Sequence, residues 1–222
     1  MIVSDRQYQF ESLDKIDLPI QKRLFDIVAS VLLLLILSPL FLIVSAWIAV
    51  EQLVSPSSRG PLLFHQTRLS QGKPFELYKI RIFKRSVLGP LENEGRVIDT
   101  KSLEQRPENM TYYGRVLCKA YLDESPQLLN VLRGDLTMVG PRPTHLEGNA
   151  KLTRLGLNTK EQMKCGLTGP YQAGKGTQRP TDYEMDKAYI ELVAHSSGWK
   201  VLSIDLRILY QTIGAVLRAA GE

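Results

Sequence analysis

Residues 22–50 read KRLFDIVASVLLLLILSPLFLIVSAWIAV, and how this run meets a membrane decides the fold. Between Ile27 and Val50 there are 24 residues without a charge, about 36 Å as a straight helix and enough to cross a bilayer. A signal peptide fits poorly. The basic start lies well inside the chain and the apolar run is too long, although Val44-Ser45-Ala46 resembles a cleavage site. A spanning helix is the default reading. A re-entrant hairpin is the third, and two features favour it. Ser38-Pro39 stands mid-run, where proline removes a donor and crowds the carbonyl one turn earlier. A neighbouring Ser hydroxyl can satisfy the freed carbonyl in hydrocarbon. On proline alone, a kinked spanning helix is the simpler account. The flanks add the second feature: Lys15, Lys22 and Arg23 precede the run, and Arg59, Arg68, Lys73, Lys79, Arg81, Lys84 and Arg85 follow it. Basic residues prefer the cytoplasmic side, so both ends read as staying there, each arm dipping about 16 Å, roughly one leaflet.

Outward from this run, the chain divides into an N-terminal extension (1–21) with no assigned role, an anchor (22–54) and a cytoplasmic domain (55–222). With 44% hydrophobic and 23% charged residues in 222, the composition is globular, not disordered. The net charge of +5 suits nucleic acid, an anionic membrane surface or phosphorylated substrates without choosing among them. Two cysteines, Cys118 and Cys165, show no pairing pattern and point to a reducing compartment. Ser55 to Pro61 is a turn-rich linker. LLFHQTRLSQGKPFELYKIRIF reads as a hairpin about Gln71-Gly72-Lys73-Pro74. Residues 86–110 read as a polar, mobile loop and 139–143 as a tight, rigid one. Helices are expected over 111–121, 123–133, 151–164, 183–193 and 199–218. The last is amphipathic, and core packing is its first reading, with the membrane interface as rival. The fold class is mostly α with a small β-hairpin element, a re-entrant helix-break-helix anchor and a compact domain carrying amphipathic interface helices.

GPYQAGKGTQ (169–178) resembles a phosphate loop. Such a loop follows a buried strand and opens a helix. Here KEQMKCGLT precedes it and is helix-like, Pro180 blocks a helix after it, and no later apolar strand ends in Asp. An ATP-using kinase is therefore a weak rival. A glycine-rich loop approaching a phosphate by its backbone stays open.

The stretch YLDESPQLLNVLRGDLTMVGPRP carries the strongest chemical signal. Asp123 is placed as a helix N-cap, with Pro126 in the first turn. An Asp-Glu pair before a helix is by itself ordinary capping. Its surroundings shift the balance. A carboxylate held ionised by a helix N-terminus, beside a second one, can bind Mg²⁺ or attack phosphorus. Arg115, Lys119, Arg133 and Arg142 suit phosphate oxygens, and Gly140-Pro141-Arg142-Pro143 fixes the backbone around Arg142. With the anchor, these suggest phosphoryl transfer involving a lipid.

The anchor with Ser38-Pro39, Tyr78-Lys79, Leu122-Asp123-Glu124 with Pro126-Gln127-Leu128, and Leu132-Arg133-Gly134-Asp135 through Val139-Gly140-Pro141-Arg142-Pro143 resemble, in that order, the bacterial sugar transferases, the monotopic polyprenyl-phosphate phosphoglycosyltransferases. The resemblance runs from about Lys22 to the C-terminus. It implies a re-entrant anchor in one leaflet, a catalytic domain on the cytoplasmic face of the bacterial inner membrane, and Mg²⁺ as cofactor. The partners it implies are a nucleoside diphosphate sugar (a UDP-sugar), polyprenyl phosphate (undecaprenyl phosphate) and membrane lipid. It allows a homodimer and implies no nucleic acid. Asp123 would be the nucleophile, expelling UMP and forming a covalent phosphosugar, which polyprenyl phosphate then takes up to begin glycan assembly. Asp123 and Glu124 would hold the metal. Lys79, Arg142 and Asp186 sit at positions expected to line the nucleotide-sugar site. Arg81, Arg115, Lys119, Pro143, Thr168, Gln172 and Lys175 complete the expected substrate contacts.

The chain departs from the family pattern at several points. Cys118 stands where Arg is common, which removes a phosphate contact unless Arg115 or Lys119 substitutes. Ser125 replaces Leu, Cys165 replaces Pro, and Pro170-Tyr171 replaces Trp-Ala. These changes bear on sugar choice more than on reaction class. A non-catalytic anchored scaffold remains a rival that Cys118 allows. His65, His145 and His195 lack metal spacing, and only His145 lies near the expected phosphates. Tyr112, Tyr113 and Tyr121 read as packing residues. Arg81, Lys84 and Arg85 read as a solvated face or as headgroup contacts.

Overall fold

The computed structural model describes residues 15–93, 98, 100–173 and 181–219. The first element, α1, spans Ile20–Val54 and is long and apolar enough to cross a membrane by length and composition. It does not break at Ser38-Pro39, contrary to the helix-break-helix expectation; the helix runs through Pro39. The reason is local. Pro39 has no N–H for the Leu35 carbonyl, and the Ser38 hydroxyl donates there instead at 2.7 Å. Leu35, Ile36, Leu42 and Ile43 around it are all more than 60% exposed.

Two strands follow, β1 (Leu63–Ser70) and β2 (Lys73–Ile80), as the expected hairpin. Gln71 and Gly72 both take positive φ, 48° and 70°, the turn geometry that matches strand twist in a two-residue connection. The expected loop of 86–110 is instead largely helical, with α2 (Arg85–Asn93), α3 (Thr100–Glu104) and a 3₁₀ turn at Pro107–Asn109. Leu88, fully buried, is the apolar residue that fixes α2. The expected helix over 123–133 divides. After α4 (Tyr112–Lys119), a 3₁₀ turn holds Leu122–Glu124, and α5 begins only at Gln127, running to Arg133. The remaining elements are β3 (Thr137–Val139), α6 (Leu146–Arg154), α7 (Thr159–Gln162), β4 (Gly166–Thr168), α8 (Pro170–Ala173), α9 (Asp182–His195) and α10 (Gly198–Ala219).

By packing, the described chain forms two units, one of residues 35–65 and 78–126, the other of 15–34, 66–77 and 127–219. The division falls inside α1. In the first unit, Val44 and Ile48 of α1 join Phe64, Ile80, Ile82, Phe83, Leu88, Met110, Tyr113 and Leu117 in one core. Burying these side chains is the main favourable term for the unit, each worth about 1.5–3 kcal/mol before entropy is counted. α4 lies so close to Ile82 that a Cβ on Gly114 would meet the Ile82 carbonyl oxygen at 2.2 Å, so only glycine fits there.

In the second unit, β3 and β4 pair in parallel, Thr137 opposite Gly166 and Val139 opposite Thr168. A Cβ on Gly166 would stand 2.1 Å from the Gly140 nitrogen, which explains glycine on both strands of this junction. The start of α1 is tied in by buried charge. Lys22 Nζ donates to Asp205 at 2.5 Å and to the Val139 carbonyl at 2.9 Å. Asp26 accepts from the Thr137 hydroxyl (2.6 Å) and the Met138 N–H (3.0 Å). Arg23 donates to the Val131 and Leu132 carbonyls, satisfying the last turn of α5. α9 opens on a capping box between Thr181 and Glu184. α10 turns Val201, Asp205 and Ile208 inward, as the core reading expects, but leaves Leu206, Tyr210 and Ile213 exposed on another face.

Candidate active site

Asp123 sits in the 3₁₀ turn that follows α4, not as the cap of α5. Tyr121, two residues earlier, takes left-handed backbone angles (φ 55°), so the chain turns sharply out of α4 to present the acidic pair. Ser125, present where the family pattern has Leu, donates its hydroxyl to the Leu122 carbonyl at 2.5 Å and closes the turn. Lys79, at the end of β2, lies over both acids. Its Nζ is 2.8 Å from Glu124 and 3.9 Å from Asp123.

The expectation that Asp123 stays readily ionised is corrected by this environment. Asp123 is 4% exposed, and its carboxyl is raised to about 7. Burial is the largest cause; Lys79 works against it, and Glu124 and Glu104 add to it. The hydrogen bond its own backbone N–H donates to the carboxylate is too weak to reverse this. Glu104 comes from the segment expected to be a loop, so its influence could not be read from the sequence. Cys118 is half-buried, and burial raises its thiol to about 12, which makes it an inert packing residue.

Three cations expected to bind substrate do other work or stand nearby. Arg81 is 1% exposed and donates to the carbonyls of Pro61, Phe83 and Ser58 at 2.8, 2.6 and 2.5 Å. It is a structural arginine, not an open phosphate contact or a headgroup contact. Arg115 donates to the Pro107 carbonyl (3.0 Å) and lies 5.3 Å over the Tyr112 ring. Lys119 is exposed at the end of α4, four residues before Asp123.

In the second unit, Arg142 is exposed between buried Pro141 and Pro143, as the rigid-corner reading expects. Thr168 is buried, sharing a 2.8 Å hydrogen bond with Thr212 of α10. Among the described residues, the buried Gln172 side-chain amide has no hydrogen-bond partner on either atom, a cost that a ligand or water would relieve. Asp186 is 1% exposed and pairs with Lys160 at 2.7 Å. Burial raises its carboxyl to about 6, against the pull of Lys160. Lys160 was not foreseen, because 26 residues separate it from its partner. Lys175 lies outside the described residues. The start of the glycine-rich stretch is helical in α8, not an extended phosphate cradle.

Among the described residues, no three His, Cys, Asp or Glu side chains come together as a metal cage. Asp123 and Glu124 still fit Mg²⁺. That ion takes one or two carboxylates and completes its shell with water and substrate phosphates.

The chain thus joins a helix long and apolar enough to cross a membrane with a buried acid paired with a second one beneath a lysine. Comparison with known proteins gives the family. The bacterial sugar transferase profile matches residues 18–219, and the chain belongs to that family. As a member it is a sugar-phosphate transferase. It is 32% identical over 197 residues to the UDP-glucose:undecaprenyl-phosphate glucose-1-phosphate transferase of Klebsiella pneumoniae, covering 86% of this chain but 39% of that protein. It is 32% identical to the Caulobacter vibrioides protein of the same name, covering 92% of this chain and 73% of the relative. It is also 32% identical to the exopolysaccharide production protein ExoY of Sinorhizobium fredii, over 91% and 88% of the two chains. The chain thus spans about two-fifths of the Klebsiella relative and most of the other two.

Proposed function

We propose that this protein moves a sugar phosphate from a UDP-sugar to a polyprenyl phosphate, with Asp123 as nucleophile. The carrying observation is the buried Asp123 carboxyl beside Glu124 and under Lys79. An Asp123 oxygen attacks the phosphorus that bears the sugar. An acyl-phosphate bond forms, the bond to the UMP oxygen breaks, and UMP leaves with that electron pair. An oxygen of polyprenyl phosphate then attacks the same phosphorus, releasing the Asp123 carboxylate and a polyprenyl diphosphate sugar. Lys79 holds the two acids in place and offsets their charge as the anionic diphosphate arrives. Mg²⁺ held by Asp123 and Glu124 would neutralise diphosphate charge. The names of the relatives favour a UDP-hexose donor and undecaprenyl phosphate as acceptor.

We place the protein on the cytoplasmic face of the inner membrane, with α1 re-entrant by a bend at Ser38-Pro39 that leaves its helical turns in place. Support comes from both ends of the helix. Lys22 and Glu51 are each buried in polar networks of folded chain, an environment hydrocarbon does not offer, and both flanks are basic. With Asp17→Cys and Ser55→Cys made singly in cells, a membrane-impermeant thiol reagent added outside should label neither position; labelling at either end of α1 would mean a spanning helix.

The test of the activity is UMP release from membranes containing the protein, polyprenyl phosphate, Mg²⁺ and a panel of UDP-sugars. UMP with at least one sugar is expected, and none with any would overturn the reading. The same assay has an expected pH dependence. The nucleophile must be unprotonated, and its carboxyl is raised to about 7. The rate of the UMP-forming step should therefore fall ~10-fold per unit as pH drops below that value. Added Mg²⁺ should move the midpoint lower. A flat profile from pH 5 to 8 would contradict the assignment.

A further inference from the structure

Glu51, in the last turn of α1, is an acid at the end of an apolar helix, yet only 5% exposed. Its Oε1 accepts from the Tyr112 N–H at 3.0 Å and from the Ser58 hydroxyl at 2.6 Å; its Oε2 accepts from the Tyr113 N–H at 2.9 Å. Thr111 supplies the next acceptor, for the Gly114 N–H at 3.0 Å. The first three donors of α4 are therefore satisfied, two of them by one carboxylate from the apolar helix. A negative charge there also complements the helix dipole. Arg81 reinforces the clamp by donating to the carbonyls of Ser58 and Pro61. Below the clamp, Val44 and Ile48 of α1 pack in the core that holds Tyr113 and Leu117 of α4.

The far end of α4 leads straight to the acidic pair. Ala120 N–H bonds to Val116 (3.2 Å), Tyr121 N–H to Cys118 (3.1 Å), and Glu124 N–H to Tyr121 (3.4 Å). Eight helical residues make a rod of about 12 Å. Anything that shifts its start is carried to the turn bearing Asp123.

We propose that Glu51 is a positioning residue for Asp123: by clamping the start of α4, it lets the C-terminal arm of the apolar helix set where the acid stands. The inference rests on the reading that Asp123 reacts. A displacement of about 1 Å at a reacting group can cost about 10²-fold in rate. Glutamine in place of Glu51 keeps the shape but offers one acceptor oxygen where two are used, and its amide opposes a backbone N–H.

The experiment is a rapid-quench burst of UMP on the full chain in lipid nanodiscs, comparing wild type with Glu51→Gln, Glu51→Asp and Ser58→Ala. Burst amplitude counts competent molecules, and the burst rate constant reports placement of the nucleophile. Glu51→Gln should keep near-full amplitude and a KM for the UDP-sugar within about twofold, while its burst rate constant falls ~10–100-fold. Glu51→Asp, which retains the charge, should recover part of that loss. A wild-type rate constant in Glu51→Gln overturns the proposal, as does a loss of amplitude alone, which would mean a purely structural role. Should Glu51→Gln fail to fold, Ser58→Ala decides. It removes one hydrogen bond to Oε1 and should slow the burst severalfold at full amplitude; an unchanged rate constant overturns the proposal. No burst from wild type overturns the Asp123 reading and this inference with it. A normal wild-type burst with unslowed variants overturns this inference alone.

Discussion

Asp123→Asn should abolish turnover, lowering UMP release by ~10³-fold or more, and should leave a folded protein. The amide keeps the shape of the side chain in its 3₁₀ turn but cannot supply an attacking anion. Its effect on stability should run the opposite way. The buried Asp123 carboxyl is raised to about 7 from an ordinary 3.8, so the folded state holds its proton more tightly than the unfolded chain. The ionised form therefore destabilises the fold. That cost is present in full above about pH 7, shrinks as pH falls, and vanishes below about pH 4. Without divalent cations, Asp123→Asn should gain roughly 1–3 kcal/mol at pH 8, less than the full shift because Lys79 loses a partner, and nothing at pH 4. Thermal melts at the two pH values with chelator present check this. Retained turnover would remove Asp123 as nucleophile, and a loss of stability at pH 8 would mean that the carboxylate is welcome where it stands.

Asp205→Ala has the largest expected effect on stability. Asp205 and Lys22 are both fully buried, 2.5 Å apart, and Tyr189 donates its hydroxyl to the same carboxylate at 2.5 Å. Burial raises the Asp205 carboxyl despite Lys22, so the pair is held at a desolvation cost. Removing only the acid leaves the Lys22 ammonium buried with the Val139 carbonyl and one ring face, the Tyr189 centroid 6.0 Å away. Such a change costs about 3–5 kcal/mol. The double variant Lys22→Met/Asp205→Leu removes both charges and should recover most of that loss. The readout is the melting temperature of detergent-solubilised protein. If Asp205→Ala melts with wild type, the ion pair does not hold the start of α1 to the rest of the second unit.

Much of this architecture was readable from local chemistry. Two strand-like runs around Gln71-Gly72-Lys73-Pro74 announced the hairpin, but the positive φ of Gln71 was not legible, because glutamine has no preference for it. Ser38 announced that a freed carbonyl would be met, but the outcome was an unbroken helix. A hydroxyl that satisfies the carbonyl removes the local reason for a break. Residues 86–110 were misread because glycine, proline and charge outweighed Leu88 in the pattern, and a single buried leucine is a weak periodic signal. The acidic pair was readable as a pair, but its state of charge was not. That depends on burial and on Glu104, which folding alone brings into range. Arg81 shows the same limit. Its sequence neighbours are basic, so it reads as surface, yet three carbonyls claim its guanidinium. Lys160 with Asp186, and Glu51 with Tyr112 and Tyr113, join residues far apart in the chain. No spacing rule exposes them.

The most direct test of the account is mass spectrometry of the protein after incubation with UDP-sugar and Mg²⁺ in the absence of polyprenyl phosphate. The account predicts one sugar phosphate added to the peptide containing Asp123, formed together with UMP and lost when polyprenyl phosphate is supplied. UMP that appears only with acceptor present and with no adduct, or an adduct on another residue, would contradict it.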